Sequence, residues 1–209
     1  MRLRPTVTRV FRSVLYPPDG VPSRRLNQHV FPDCSMTRIE SSTPKGLPFI
    51  LIVMGVSGSG KTTIGQWLSA KLDCSFLDAD DFHPPGNVRK MAVGEALTDE
   101  DRWPWLEVLA GKIREHIHDK QPMVMACSAL KQAYRRVLRC DSSCVRFVYL
   151  KGDYETILRR MDMRQSHFMK ASLLKSQFEA LEAPSRATVV NIEASPSEIG
   201  SAIWRELEF

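Results

Sequence analysis

Long apolar runs are missing from this 209-residue chain. The longest, Phe49–Met54, is far shorter than the roughly 20 residues a bilayer-spanning helix needs, so a soluble protein with no membrane role is expected. Cysteine is scarce and odd in number: Cys34, Cys74, Cys127, Cys140 and Cys144. A scattered set of this kind predicts reduced thiols in a reducing compartment and excludes a disulfide scaffold. No second Cys or His pair stands at metal-site spacing from Cys140 and Cys144. His116 and His118 are too close in sequence to share a helix face, so no structural metal is expected. Excess charge is also absent from most of the chain. Residues 1–46 hold eight basic against three acidic residues, which accounts for the whole net charge of +5, and the remainder is neutral. A neutral body excludes the basic surface of a nucleic-acid binder. No internal repeat is present.

Residues 1–46 differ in kind from the rest of the chain. Met1 to Tyr16 contains four Arg and no acid. On a helical wheel Leu3, Val7, Val10, Phe11, Val14 and Leu15 gather on one side, away from Arg2, Arg9 and Arg12. An amphipathic, Arg-rich, acid-poor start is the pattern of an organelle transit peptide. A solvated tail, or translation beginning at Met36, is the other reading. Pro17, Pro18, Gly20, Pro22, Pro32, Pro44 and Gly46, with Ser and Thr between them, predict a disordered linker. The location expected is cytoplasmic, or mitochondrial or plastid if the leader is an address.

The body, residues 47–209, is organised around Gly55-Val56-Ser57-Gly58-Ser59-Gly60-Lys61-Thr62. This fits G-x-x-x-x-G-K-[ST], the phosphate-binding loop. Glycines let successive backbone N–H groups turn inward as an anion nest. The helix after the loop adds the positive end of its dipole. Lys61 can reach β- and γ-phosphates, and the Thr62 hydroxyl can bind Mg²⁺. The flanks agree: Phe49–Met54 is apolar, as a strand buried on both faces must be, and Ile64, Trp67, Leu68 and Leu72 recur at helical spacing.

A short apolar strand next runs into Asp78, Asp80 and Asp81. In an extended chain Asp78 and Asp80 share a face, well placed to hold Mg²⁺ or accept a hydroxyl proton. Thr98 is the expected N-cap of a helix with an acidic first turn. Pro122–Cys127, Val145–Leu150 and Thr188–Ile192 read as further strands. Ser195-Pro196-Ser197-Glu198 is a capping box opening the last helix. Five short strands alternating with helices predict an α/β fold. This is a doubly wound, five-stranded parallel sheet with helices on both faces and the nucleotide at its carboxyl edge. The cationic segment Arg159, Arg160, Arg164 and His167 is expected at that edge. Loop, carboxylates and arginines together are the parts of a phosphoryl-transfer enzyme.

The chain resembles the gluconokinases of the small phosphate-loop type, which are related to shikimate and nucleoside-monophosphate kinases. The resemblance covers residues 48–207. It is carried by Met54–Thr62, Phe76-Leu77-Asp78-Ala79-Asp80-Asp81-Phe82-His83-Pro84, Asn87, Lys90-Met91, Asp99, Asp101-Arg102 and Pro104-Trp105-Leu106. Cys127-Ser128-Ala129-Leu130-Lys131, Tyr134-Arg135, His167-Phe168-Met169 and Ser176-Gln177-Phe178-Glu179 continue it. It implies ATP-dependent phosphorylation of D-gluconate to 6-phospho-D-gluconate, feeding the pentose phosphate pathway. A helical lid is also implied, and often a homodimer. Lys61, Asp80 and Arg164 would be catalytic, Asp80 as acceptor-binding base. Gly55, Ser57, Gly58, Ser59, Gly60, Lys61, Thr62, Thr63, Arg160 and Arg164 would bind ATP, with Thr62 and Asp78 at Mg²⁺. His83, Arg102, Ser128, Lys131, Arg135, His167 and Gln177 would join Asp80 in meeting gluconate. Ser166 and Lys170 depart from the family pattern and put the geometry of the lid in question.

Two alternatives stand beside this reading. One is a kinase for another small acceptor, shikimate-like or a nucleoside monophosphate. The lack of a glycine-rich acceptor motif at Cys127–Lys131 argues against a shikimate kinase. The other is a nucleotide-binding module without turnover, against which Lys61, Thr62, Asp80 and Arg164 are all present. Residues 1–46 lack the apolar pattern of a packed element. A chain beginning at Met36 is therefore expected to match the full chain in kcat and melting temperature. A severalfold loss of kcat, or a melting point lower by several degrees, would place the leader on the body.

Overall fold

The structure, a computed structural model, describes residues 49–140, 143–163 and 171–207, with backbone alone at 171 and 172. The described residues all belong to one compact unit. The leader and its expected boundary at Leu47 lie outside them.

Strand β1 (Ile50–Met54) is wholly inaccessible to solvent. It pairs in parallel with β3 (Met123–Ala126) on one side and β4 (Val145–Lys151) on the other. Strand β2 (Ser75–Asp78) adds outside β3, and β5 (Thr188–Asn191) outside β4, so the order is β2-β3-β1-β4-β5. The chain leaves β1 towards β2, returns through β3, and crosses to the opposite side at β4. A crevice at the carboxyl ends of β1 and its neighbours is the consequence of that reversal.

Alternation along the strands sorts the core into two layers. Ile50, Ile52 and Met54 face α3 (Asp99–His118) and α4 (Gln132–Arg139), packing with Trp105, Leu109 and Tyr134. Leu51 and Val53 face α1 (Lys61–Leu72), α5 (Tyr154–Asp162), α6 (Ala171–Ala180) and α7 (Pro196–Glu206), among Ile64, Leu68, Ile157 and Ile203. Helix α2 (Pro85–Val93) falls in the Pro84–Leu97 stretch, where the sequence allows either a loop or a short helix. The expected caps are present. Thr98 accepts from Asp101 N–H and Ser195 from Glu198 N–H, each closed reciprocally by the acid, as capping boxes require. Cys74, Cys127, Cys140 and Cys144 form no disulfide among the described residues. Among the described residues no helix is long and apolar enough to cross a membrane.

Helices α1 and α7 meet at a close approach. A Cβ on Gly200 would lie 2.5 Å from the Trp67 ring, a rigid, partly buried indole packed against the layer. Gly200→Val is expected to cost about 1–3 kcal/mol. The measurement is a lowered urea midpoint at unchanged denaturant slope; an unchanged midpoint would mean that Trp67 moves freely.

Candidate active site

The loop between β1 and α1 turns on glycine. Gly58 sits at φ +80°, and a Cβ there would come within 2.8 Å of Met161 on α5. Gly60, at φ +97°, is the left-handed N-cap that launches α1. Gly55 N–H reaches the Ser128 carbonyl (3.4 Å), tying this loop to the one after β3. Lys61 Nζ folds back onto the Val56 carbonyl at 3.0 Å. Burial lowers the Lys61 pKa from its ordinary value, opposed by Asp80 and then Asp78. The Ser59 hydroxyl is buried within the loop with no partner among the described residues. A buried donor left unpaired costs stability, so a loop holding one is suited to an anion that would accept from it.

The acidic strand end lies beside this loop. Thr62 Oγ1 donates to Asp78 Oδ2 at 2.8 Å, setting two hard oxygen ligands side by side as a magnesium site requires. Asp78 and Asp80 do not share a strand face, as an extended chain would make them. The strand stops at Asp78, whose Oδ1 accepts from Asp80 N–H (3.2 Å) and caps a single 3-10 turn over Ala79–Phe82. That turn leaves the Asp80 carboxylate exposed at the pocket, near His83 Nε2 (3.9 Å).

His83 is held from two sides. Its ring stacks on Trp105 at 4.2 Å, and its Nδ1 faces the amide of Asn87 at 3.4 Å. Trp105 Nε1–H donates to the Ala79 carbonyl (2.8 Å), so the same indole also fixes the 3-10 turn. Burial holds the His83 pKa below its ordinary value, with Asp80 opposing and Arg102 reinforcing the shift. His83 is therefore a neutral imidazole near pH 7.

One pocket is lined by Ser57, Lys61, Asp80, His83, Arg102, Ser128 and Gln177, all expected site residues. Trp105, Met91, Ala96, Leu97, Leu173 and Ser176 complete its wall. Arg102 is held there by the Leu97 carbonyl, with its guanidinium 5.7 Å from the Tyr134 ring. Two expected substrate contacts are placed elsewhere. Lys131 is bound to both Asp99 oxygens (2.7 and 2.9 Å), and Asp99 also accepts from Tyr134 OH. Arg135 is buried and donates to the carbonyls of Ala129 (2.9 Å) and Leu130 (2.7 Å), fastening the turn where Ala129 takes a left-handed φ of +44°. Arg160 donates to the Ile192 carbonyl, and Thr63 is exposed in the first turn of α1. Arg164 and His167, with Ser166 and Lys170, lie outside the described residues.

Sequence reasoning gave no site role to Asp99 or Asn87, and for Trp105 it offered a stacking platform or, more commonly, a buried aromatic. Asp99 reads as an ordinary first-turn acid, and nothing local reveals that it anchors Lys131 and Tyr134. The contact of Gln177 with the phosphate loop is equally hidden. Its Oε1 accepts from Ser57 N–H (2.7 Å) and its Nε2 donates to Ser57 Oγ (3.1 Å). Helix α6 is thereby pinned onto the loop, and the cavity left in the pocket is only about 50 Å³. That is room for a water or two.

Comparison with known proteins agrees with this geometry. Residues 57–200 match the family described as shikimate kinase. The chain is similar to the thermosensitive gluconokinase of Escherichia coli, 53% identical over 133 residues, 64% of this chain and 71% of that one. It is 43% identical to a gluconokinase of Arabidopsis thaliana over 74% of this chain and 89% of the relative. Among solved structures, a gluconokinase from Sinorhizobium meliloti superposes with a TM-score of 0.67 at 38% identity, over 78% of this chain and 97% of its own.

A phosphate that takes up Ser57 N–H must first displace the Gln177 carbonyl. Gln177→Ala is therefore expected to tighten ATP binding by about two- to tenfold, the worth of one net hydrogen bond. Titration calorimetry with a non-hydrolysable ATP analogue measures this; weaker binding in the variant would make Gln177 a ligand of the nucleotide instead.

Proposed function

The chain belongs to the gluconokinases, within the shikimate-kinase family, and we propose how its own residues carry the transfer. The reaction is the ATP-dependent phosphorylation of D-gluconate to 6-phospho-D-gluconate. The observation behind the residue assignments is that Lys61, Asp80 and Arg102 share one pocket. Asp80, exposed and capped at its own N–H by Asp78, takes the proton of the terminal hydroxyl. As that oxygen bonds to the γ-phosphorus, the bond from the γ-phosphorus to the bridging oxygen breaks and ADP leaves. Lys61 leaves the Val56 carbonyl to neutralise charge on the transferred group, and the inward N–H groups of residues 57–62 hold the phosphates. Thr62 and Asp78 would hold Mg²⁺, which supplies further charge neutralisation there. Of the three cations the family resemblance offers, Arg102 meets the gluconate carboxylate, because Lys131 and Arg135 are occupied elsewhere. His83 and Ser128 meet the hydroxyls. Arg164 and His167, outside the described residues, complete the assignment as a cation on ATP and a contact to gluconate. A homodimer, and an organelle address in residues 1–46, are part of the same proposal; gel filtration and import of a leader–reporter fusion test them.

Two experiments bear on this. Asp80→Asn keeps a hydrogen-bonding group but not the base, so kcat is expected to fall by about 10²-fold or more with little change in ATP affinity. If Asp78→Asn alone shows that loss, the two carboxylates exchange roles. Arg102→Ala removes a charge-assisted contact worth about 1.5–3 kcal/mol. It should therefore lower kcat/KM for gluconate by roughly 10- to 150-fold, while leaving any activity on glucose unchanged. Equal losses on the two sugars would take the carboxylate away from Arg102.

A further inference from the structure

A second concavity lies apart from the active site and shares none of its lining residues. It runs between α4 and residues 182–186, with a volume of about 420 Å³. That falls in the usual range for small-ligand sites. Four arginines line it, Arg135, Arg136, Arg139 and Arg186, against one acid, Glu182. The acid is partly used already: Glu182 accepts the Gln132 N–H at the start of α4. The first N–H of the helix is therefore met within the protein, and the arginines outnumber the one acid.

These arginines are not equivalent. Arg135 is buried and anchored by the Ala129 and Leu130 carbonyls, so its guanidinium is preorganised before any ligand arrives. Arg139 is held over the Phe147 ring at 5.3 Å. Arg136 and Arg186 stand exposed, with no hydrogen bond or ion pair to a described residue. Burial lowers the Arg135 pKa from its ordinary value, Glu182 opposes this, and Arg139 adds to it. Three or four like charges converging on one concavity repel one another and are relieved by a counter-charge. The planar fork of arginine pairs with phosphate in bidentate fashion. A buried anchor at the floor of a concave site favours a compact anion over an extended acidic protein surface.

We propose that the groove between α4 and residues 182–186 is a binding site for a small phosphate-bearing dianion, either free phosphate or a phosphorylated sugar acid. Calorimetric titration of the full chain with inorganic phosphate, and separately with 6-phosphogluconate, tests it. Two variants separate the groove from the phosphate loop: Lys61→Ala, and the double substitution Arg136→Ala with Arg186→Ala. In the double variant the groove component should weaken by about tenfold per arginine lost. That component should persist in Lys61→Ala. Both substituted arginines are exposed, so kcat of the double variant without added anion is the control for folding and should equal that of the native chain. Sensitivity of phosphate binding alone to the double substitution assigns the free ion, and sensitivity of 6-phosphogluconate binding assigns the sugar acid. Identical isotherms for the double variant and the native chain would overturn the site, as would loss of all anion binding in Lys61→Ala. Neither outcome depends on which acceptor is phosphorylated.

Discussion

Complete burial of β1 on both faces is the constraint on which the other features depend. Each of its five side chains contributes roughly 1.5–3 kcal/mol by leaving water, and both backbone edges are paired, to β3 and to β4. A strand so enclosed can end only where the sheet ends. At Gly55 the chain must leave the sheet, and its donors are no longer matched by a neighbouring strand. Gly58 and Gly60 allow a turn there that no side chain would permit, and the next ordered element begins at Lys61. The phosphate nest is thus what the backbone does when a fully buried strand must hand over to a helix within a few residues. The orphaned Ser59 hydroxyl is the sign that a ligand completes it.

Charge on this molecule is divided by how each cation is already occupied. Lys131 and Arg135 come after the same strand and belong to the same motif, yet neither reaches the acceptor pocket. Lys131 is half-exposed and paired with Asp99, a kind of contact that contributes little to stability by itself. Its effect is to hold Asp99 and Tyr134 together beneath Arg102. Arg135 is buried and bonded to two carbonyls; removing it would leave the Ala129 carbonyl without that donor, while Leu130 keeps the Glu182 N–H. Lys61 and Arg102 are the cations that line the pocket among the described residues.

Much of the fold was legible in the chain. Periodicity placed the five strands and their helices because solvent exclusion imposes a period of two or of 3.6 on apolar residues. Capping at Thr98 and Ser195 was legible because each cap and its acid lie three residues apart. The pairing of Thr62 with Asp78 joins two features each legible locally, a loop motif and an acidic strand end, although β3 lies between β1 and β2 in the sheet. The relation of Asp78 to Asp80 was not legible. An alternating strand and a 3-10 turn both suit that spacing, and the Trp105 indole, far along the chain on α3, anchors the turn at Ala79. Asp99 shows the same limit, since its partners come from α4 and the loop before it.

The sequence by itself determined the phosphate loop, the parallel α/β architecture, the carboxylates beside the loop and the kinase family. All are written in residues close together along the chain, where glycine conformation, helix capping and apolar spacing act. Only the tertiary structure decided which cations are spent and which are available, and that Gln177 lies on Ser57 across 120 residues of sequence. The physical reason is that a side chain's local spacing fixes its direction but not its partner. The partner depends on which elements the sheet order makes neighbours, and in this chain β3 and β4 flank β1 while α6 folds back over the loop.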